Sequence, residues 1–301
     1  MAQLHVITGA GGHATALPIR RIGLADLKDA LARGLDDFVA MPSHAVFLCL
    51  IYPVVGLLIF RLAVGANVLP LLYPIAAGFA LLGPFAALGL YEMSRRREAG
   101  LDVSWAHALD VFRSPSIGAI AVLGLLLVTI FLVWVAVAQS IYVAYFGYKP
   151  AAAMSGFVNQ VLTTPEGWGL IVVGNFVGFL FAVLVLAISA ISFPLLLDRD
   201  VGAATAVLTS IRVVLANPFT MAVWGLIVAV LLALGSLPAL FGLAVVLPVL
   251  GHATWHLYRK AVEPDESDRP RFREPSSRPR RPAAEFPASL FPSRSNDAPR
   301  S

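Results

Sequence analysis

The sequence predicts an all-α membrane protein of six transmembrane helices, arranged as three hairpins that each follow a short amphipathic helix. Three observations predict it. Of 301 residues, 58% are hydrophobic and 13% charged, with a mean hydropathy of +0.80, whereas a soluble domain carries roughly 25% charged residues. The apolar runs are continuous, as helices in lipid require, and do not alternate as barrel strands would. All the Lys and Arg residues except Arg61 and Lys149 fall on one side of the resulting topology. This composition excludes a cytosolic enzyme, a secreted disulfide scaffold and a disordered protein.

Along the chain, residues 1–18 read as a flexible leader, 19–261 as the membrane domain and 262–301 as a disordered cytoplasmic tail rich in Pro and Arg. Residues 1–19 carry no Lys or Arg ahead of an apolar stretch, so no secretory signal is expected. A helix needs about 20 apolar residues to cross a core of ~30 Å. Spans are predicted over about 45–60, 68–91, 117–146, 168–197, 213–234 and 238–258. The last two come from one stretch, between Arg212 and Arg259, that has no Asp, Glu, Lys or Arg. Gly235-Ser236-Leu237-Pro238 divides it as a turn.

Each hairpin follows a segment with an apolar stripe and a terminating proline. The first stripe is Leu24, Leu27, Leu31, Leu35 and Phe38, before Pro42. The second is Trp105, Leu109 and Phe112, capped by Asp102 and ended by Pro115. The third is Val207, Ile211 and Val214, with Asp200 near its start and Pro218 after it. Such helices are expected in the headgroup layer with the stripe toward the acyl chains. Pro84, Pro194 and Pro248 recur in the second span of each pair and are expected to bend it. The bias of Lys and Arg, with an even number of spans, predicts both termini in the cytoplasm.

Candidate chemistry is sparse. Cys49 is the one cysteine, which excludes an internal disulfide and a Cys-based metal site. Gly9-Ala10-Gly11-Gly12-His13-Ala14 fits a dinucleotide fingerprint, but that pattern needs a strand before it and a βαβ unit around it. His252 and His256 are four apart on one helix face, the geometry of metal ligands, with His44 and Glu92 as further candidates. Interfacial anchoring accounts for the same histidines without a metal, and no cofactor is expected. Glu92 with Arg95, Arg96 and Arg97, and Asp198-Arg199-Asp200, read as local ion pairs. Gln139 and Asn175 are the polar side chains to look for in any cavity, although polar groups in spans more often face other helices. No Asp, Glu, Lys or Arg lies at a predicted midplane, which disfavours a pump or ion-coupled carrier.

Several stretches carry a resemblance: Gly78-Phe79-Ala80-Leu81-Leu82-Gly83-Pro84-Phe85, Tyr91-Glu92-Met93-Ser94-Arg95-Arg96-Arg97-Glu98, Ser192-Phe193-Pro194-Leu195-Leu196-Leu197-Asp198 and the run Leu247 to Lys260. Over about Ile19 to Ala261 the chain resembles a family of bacterial predicted integral membrane proteins catalogued as a domain of unknown function. The resemblance implies six spans and an inner-membrane location, with no activity, ligand or catalytic residue. Some members are labelled as similar to cytochrome c oxidase subunit I, which holds its metal-binding histidines within the membrane, whereas here they lie at span ends. Ser210-Ile211-Arg212 loosely resembles the Ser-x-Arg motif of other families built on helix-plus-hairpin units. The expected function is a non-enzymatic accessory, assembly or scaffold protein. A transporter or lipid-handling protein with a cavity between hairpins is the alternative, followed by a metal or haem site. Expected partners are membrane lipids, with membrane proteins or a second copy possible and nucleic acid excluded.

Overall fold

The computed structural model describes residues 17–41, 69–148, 154–238 and 240–264, together with residues 6, 54 and 61. Among them the secondary structure is helical, apart from one antiparallel bridge between Ile19 and Val262. The α-helices are α1 Leu24–Ala40, α2 Leu69–Phe79, α3 Gly83–Ala86, α4 Leu88–Glu98, α5 Ile117–Phe146, α6 Met154–Thr163, α7 Pro165–Ser189, α8 Ser192–Asp198, α9 Ala203–Ala216, α10 Pro218–Ser236 and α11 Leu243–Ala261. Ala80–Leu82 and Trp105–Arg113 are 3₁₀ helices.

Four helical stretches among the described residues are long and apolar enough to cross a membrane: Pro70–Glu98, Ile117–Phe146, Pro165–Asp198 and Pro218–Ser236. The expected first span lies outside the described residues, apart from Val54. The expected fifth span starts later than read, because Asn217-Pro218 breaks the chain between α9 and α10 and the proline opens the new helix. The segment read as a sixth span is α11, which is absent from the four. Its second half carries His252, His256, Arg259 and Lys260, and lies largely buried in the protein.

Burial divides the bundle into two zones. From Pro165 to Leu184 most side chains are exposed or half-buried, and from Ile188 to Arg199 every one is buried. The same change occurs at Leu88 in α4 and at Leu250 in α11. Each change lies beside a helix irregularity. The 3₁₀ turn and Pro84 precede α4, the Ala190–Ile191 turn and Pro194 mark α8, and Pro248 sits inside α11. A proline removes one backbone donor, so the helix redirects where packing partners change. Loosely packed helices therefore continue into a compact polar layer.

α1 lies along the second half of α11. Its buried side is Leu27, Ala30, Gly34 and Asp37, while Leu24 and Leu35 of the expected apolar stripe are exposed and Leu31 and Phe38 half-buried. Small residues let two backbones approach, and that contact outweighs the larger Leu stripe. A Cβ on Gly34 would meet the backbone nitrogen of Ala253 at 2.6 Å, so glycine is required there. In the Trp105–Arg113 segment, Leu109 and Phe112 are exposed and Ala108 and Val111 buried. The residue at its N-cap is Ser104, with His107 Nδ1 accepting the Ser104 N–H at 3.1 Å, in place of the expected Asp102. Val207, Ile211 and Val214 of α9 pack against the main core.

Candidate functional site: a buried polar network

The polar layer is organised around Asp37. Ser94 on α4 donates its hydroxyl to Asp37 Oδ2 at 2.6 Å, and His256 Nε2 on α11 lies 2.9 Å from the same oxygen. Arg97, one turn beyond Ser94, pairs with Oδ1. His252, one turn before His256, places Nδ1 2.7 Å from Ser94 Oγ. Because the single hydroxyl proton goes to the carboxylate, Nδ1 must be the protonated nitrogen and donate to the serine. His252 Nε2 is then the lone-pair nitrogen, and it is buried without a hydrogen-bond partner. Asp37 is 4% exposed, Ser94 1% and His252 0%.

Burial alone would push the Asp37 carboxyl above its ordinary range. Hydrogen bonds from His256, Ser94 and Arg97, with the charge of His256, outweigh that and hold it below. The carboxylate therefore stays ionised as the shared acceptor of α1, α4 and α11.

A second network stands beside it. Trp255 Nε1 donates to Glu98 Oε2 at 2.9 Å, and Arg259 Nε to Oε1 at 3.0 Å. Arg259 reaches on to Asp198 at 3.3 Å, where Tyr258 donates its hydroxyl at 2.7 Å. α4, α8 and α11 are thereby joined. Arg199 is fully buried, donates to the Glu263 carbonyl, and leaves Nε and Nη1 without hydrogen-bond partners. The two ends of the domain also meet here. Arg20 N–H donates to the Ala261 carbonyl at 2.8 Å, and Glu263 N–H to Pro18 at 3.2 Å. Asn217 accepts the Ile22 N–H at 2.8 Å and Thr220 donates to the Ile22 carbonyl at 3.0 Å.

The residues singled out in the sequence are distributed as follows. His252 and His256 share one network, as their spacing implied. Glu92 is wholly buried and held by Arg95 through two 2.7 Å bonds, the local ion pair expected. His44 lies outside the described residues. Among the described residues, no group of three or more His, Cys, Asp or Glu side chains is arranged to hold a metal ion. Gln139 is exposed on α5. Asn175 is exposed on α7, accepts the Tyr73 hydroxyl at 2.8 Å and donates to the Ile171 carbonyl at 2.7 Å. Asp37 and Ser94, the centre of the network, are not evident from the sequence as site residues. The available signal is that Asp37 continues the small-residue face formed by Ala30 and Gly34.

The chemistry of this arrangement is cohesive. Serine, histidine and aspartate are all present, but the serine proton is committed to the carboxylate and the three groups face one another across helices. Residues 72–198 match the model of a family described as predicted integral membrane protein (DUF2189), which bears out over that stretch the resemblance read from the sequence. No curated protein and no solved structure matches the chain.

Proposed function

We propose that the chain is a multi-pass protein of the bacterial inner membrane that acts as a non-enzymatic accessory, assembly or scaffold protein, with a rigid cytoplasmic platform on six spans. The observation that carries this reading is the Asp37 network, which spends its ionisable groups on joining α1, α4 and α11.

The six-span topology draws support from position. Ile19 pairs with Val262, so the number of crossings between them is even. Met41 packs with Met93 and Ala108 in the polar layer. The Tyr73 hydroxyl meets Asn175, which lies 23 residues, or about 35 Å of helix, from the Asp198 end. Met41 and Leu69, the described residues on either side, thus stand toward opposite ends of the bundle, which supports a first crossing between them. α11 packs beside α10, with Gly235 against Gly242, Leu243 and Val246, and returns the chain to the polar layer. The excess of Lys and Arg at that layer supports a cytoplasmic position for it.

A platform of this kind holds partners through its surface and through residues 262–301. Affinity capture of crosslinked full-length protein from membranes, beside a form ending at residue 264 that keeps the Ile19–Val262 bridge and the Glu263 contacts, tests it. Partners lost or reduced on truncation, or on unlocking the layer with Asp37→Ala, support the reading. A protein that captures no partner in any form contradicts it. The alternative, a transporter, needs a polar-lined passage, and Gln139 and Asn175 on exposed faces of α5 and α7 give it no support.

A further inference from the structure

An apolar groove of about 450 Å³ runs between α5 and α9. Val122, Leu123 and Leu126 form one wall. The other wall descends α9 from Ala203 and Ala204 through Val207 to Ile211, about 12 Å of helix. We propose that this groove is a binding site for one acyl chain of a membrane phospholipid. The proposal goes beyond the platform reading and depends only on the chain being in a membrane.

Four observations favour that occupant. The α5 wall lies five to nine residues after Ile117, within a stretch long and apolar enough to cross a membrane, so hydrocarbon is its medium. The groove opens sideways onto the lipid-facing surface, since Val122 and Leu126 remain 49% and 42% exposed and neighbouring Leu125 67%. The lining residues are aliphatic throughout, which leaves water no polar partner. Ala203 and Ala204 set the depth, being the small residues of an otherwise bulky wall. Unfilled, such a groove forfeits dispersion contacts that a flexible alkyl chain recovers.

Val6 is the competing occupant. Its side chain would contact a Cβ built on Gly118, one turn before Val122, so the leader reaches the end of the groove. Deletion of residues 2–16 separates the two possibilities.

The test reconstitutes the full-length protein in nanodiscs of phosphatidylethanolamine and phosphatidylglycerol doped with a phospholipid carrying a diazirine in one acyl chain. Photolysis and peptide mass spectrometry then locate the label. Expected is enrichment on residues 122–126 and 203–211 over the exposed lipid-facing stretch 172–180 of α7. Ala204→Trp, which fills the groove, should cut groove labelling about tenfold, equivalent to about 1.4 kcal/mol, and leave 172–180 unchanged. Ala204→Leu, a smaller filling, should give an intermediate loss with an unaltered thermal melt, so that misfolding is not mistaken for exclusion. Equal labelling of groove and control stretch overturns the proposal, as does labelling indifferent to both fillings. A rise in groove labelling after deletion of residues 2–16 also overturns it, by making the leader the occupant.

Discussion

Removing the Asp37 carboxylate should destabilise the protein more than any other single change in the polar layer. In Asp37→Ala, Ser94, His256 and Arg97 lose their common acceptor together, within a site whose aspartate side chain is 5% exposed. Hydrogen bonds to a charged group contribute about 1.5–3 kcal/mol each. Breaking a buried ion pair by deleting one partner costs about 3–5 kcal/mol, because the remaining charge stays buried. The three bonds share one acceptor and cannot be summed. Arg97 is partly exposed and can turn to solvent. The loss expected for Asp37→Ala is therefore below the full buried-pair cost, about 2–4 kcal/mol, with Asp37→Asn milder because its amide oxygen still accepts from Ser94. Reversible unfolding in mixed micelles, followed by far-ultraviolet circular dichroism, measures it. Ser94→Ala and the double variant complete a cycle whose coupling should be about 1–3 kcal/mol. An Asp37→Ala protein within about 0.5 kcal/mol of the parent, the range of ordinary surface changes, would refute the reasoning.

Three further outcomes follow from the same geometry. Asp37 is held below its ordinary value, so its contribution is complete above the unfolded carboxyl pKa of about 3.9 and is lost as pH falls through the lower folded value; unfolding midpoints of the parent should drop on acidification in this window, and those of Asp37→Asn should drop less. Gly34→Ala should destabilise by about 1–3 kcal/mol through overpacking against Ala253, although alanine favours an isolated helix by about 1 kcal/mol; a stabilised variant would mean that α1 does not approach α11 this closely. Glu98→Ala removes the acceptor of both Trp255 and Arg259 and should lower stability by about 1–3 kcal/mol, with a change in Trp255 fluorescence; an unshifted emission would place the indole elsewhere.

How far the sequence could be read depended on the physical range of each signal. α5 was legible to both ends, because Pro115 precedes it, Gly147 follows it and nothing charged interrupts it. The start of α10 was misplaced because hydropathy continues across Asn217-Pro218, and the backbone break there is a matter of hydrogen bonding, not polarity. α1 was legible as a helix, while the face that it packs on α11 was not. Hydrophobic size points to the Leu stripe, whereas helix approach selects Ala30 and Gly34, a preference visible only once α11 is known as the neighbour. His252 and His256 were legible as one face. Their partners were not, since Ser94 lies 158 positions from His252, and only tertiary folding joins them.

Topology is the most direct test of the account. Reporter fusions that are active on only one side of the membrane should be placed after residue 301, before residue 1 and in the turn at Tyr148. Both ends should report from the cytoplasm and Tyr148 from the opposite side. A signal from residue 301 outside the cytoplasm, or from opposite sides for the two ends, would contradict it.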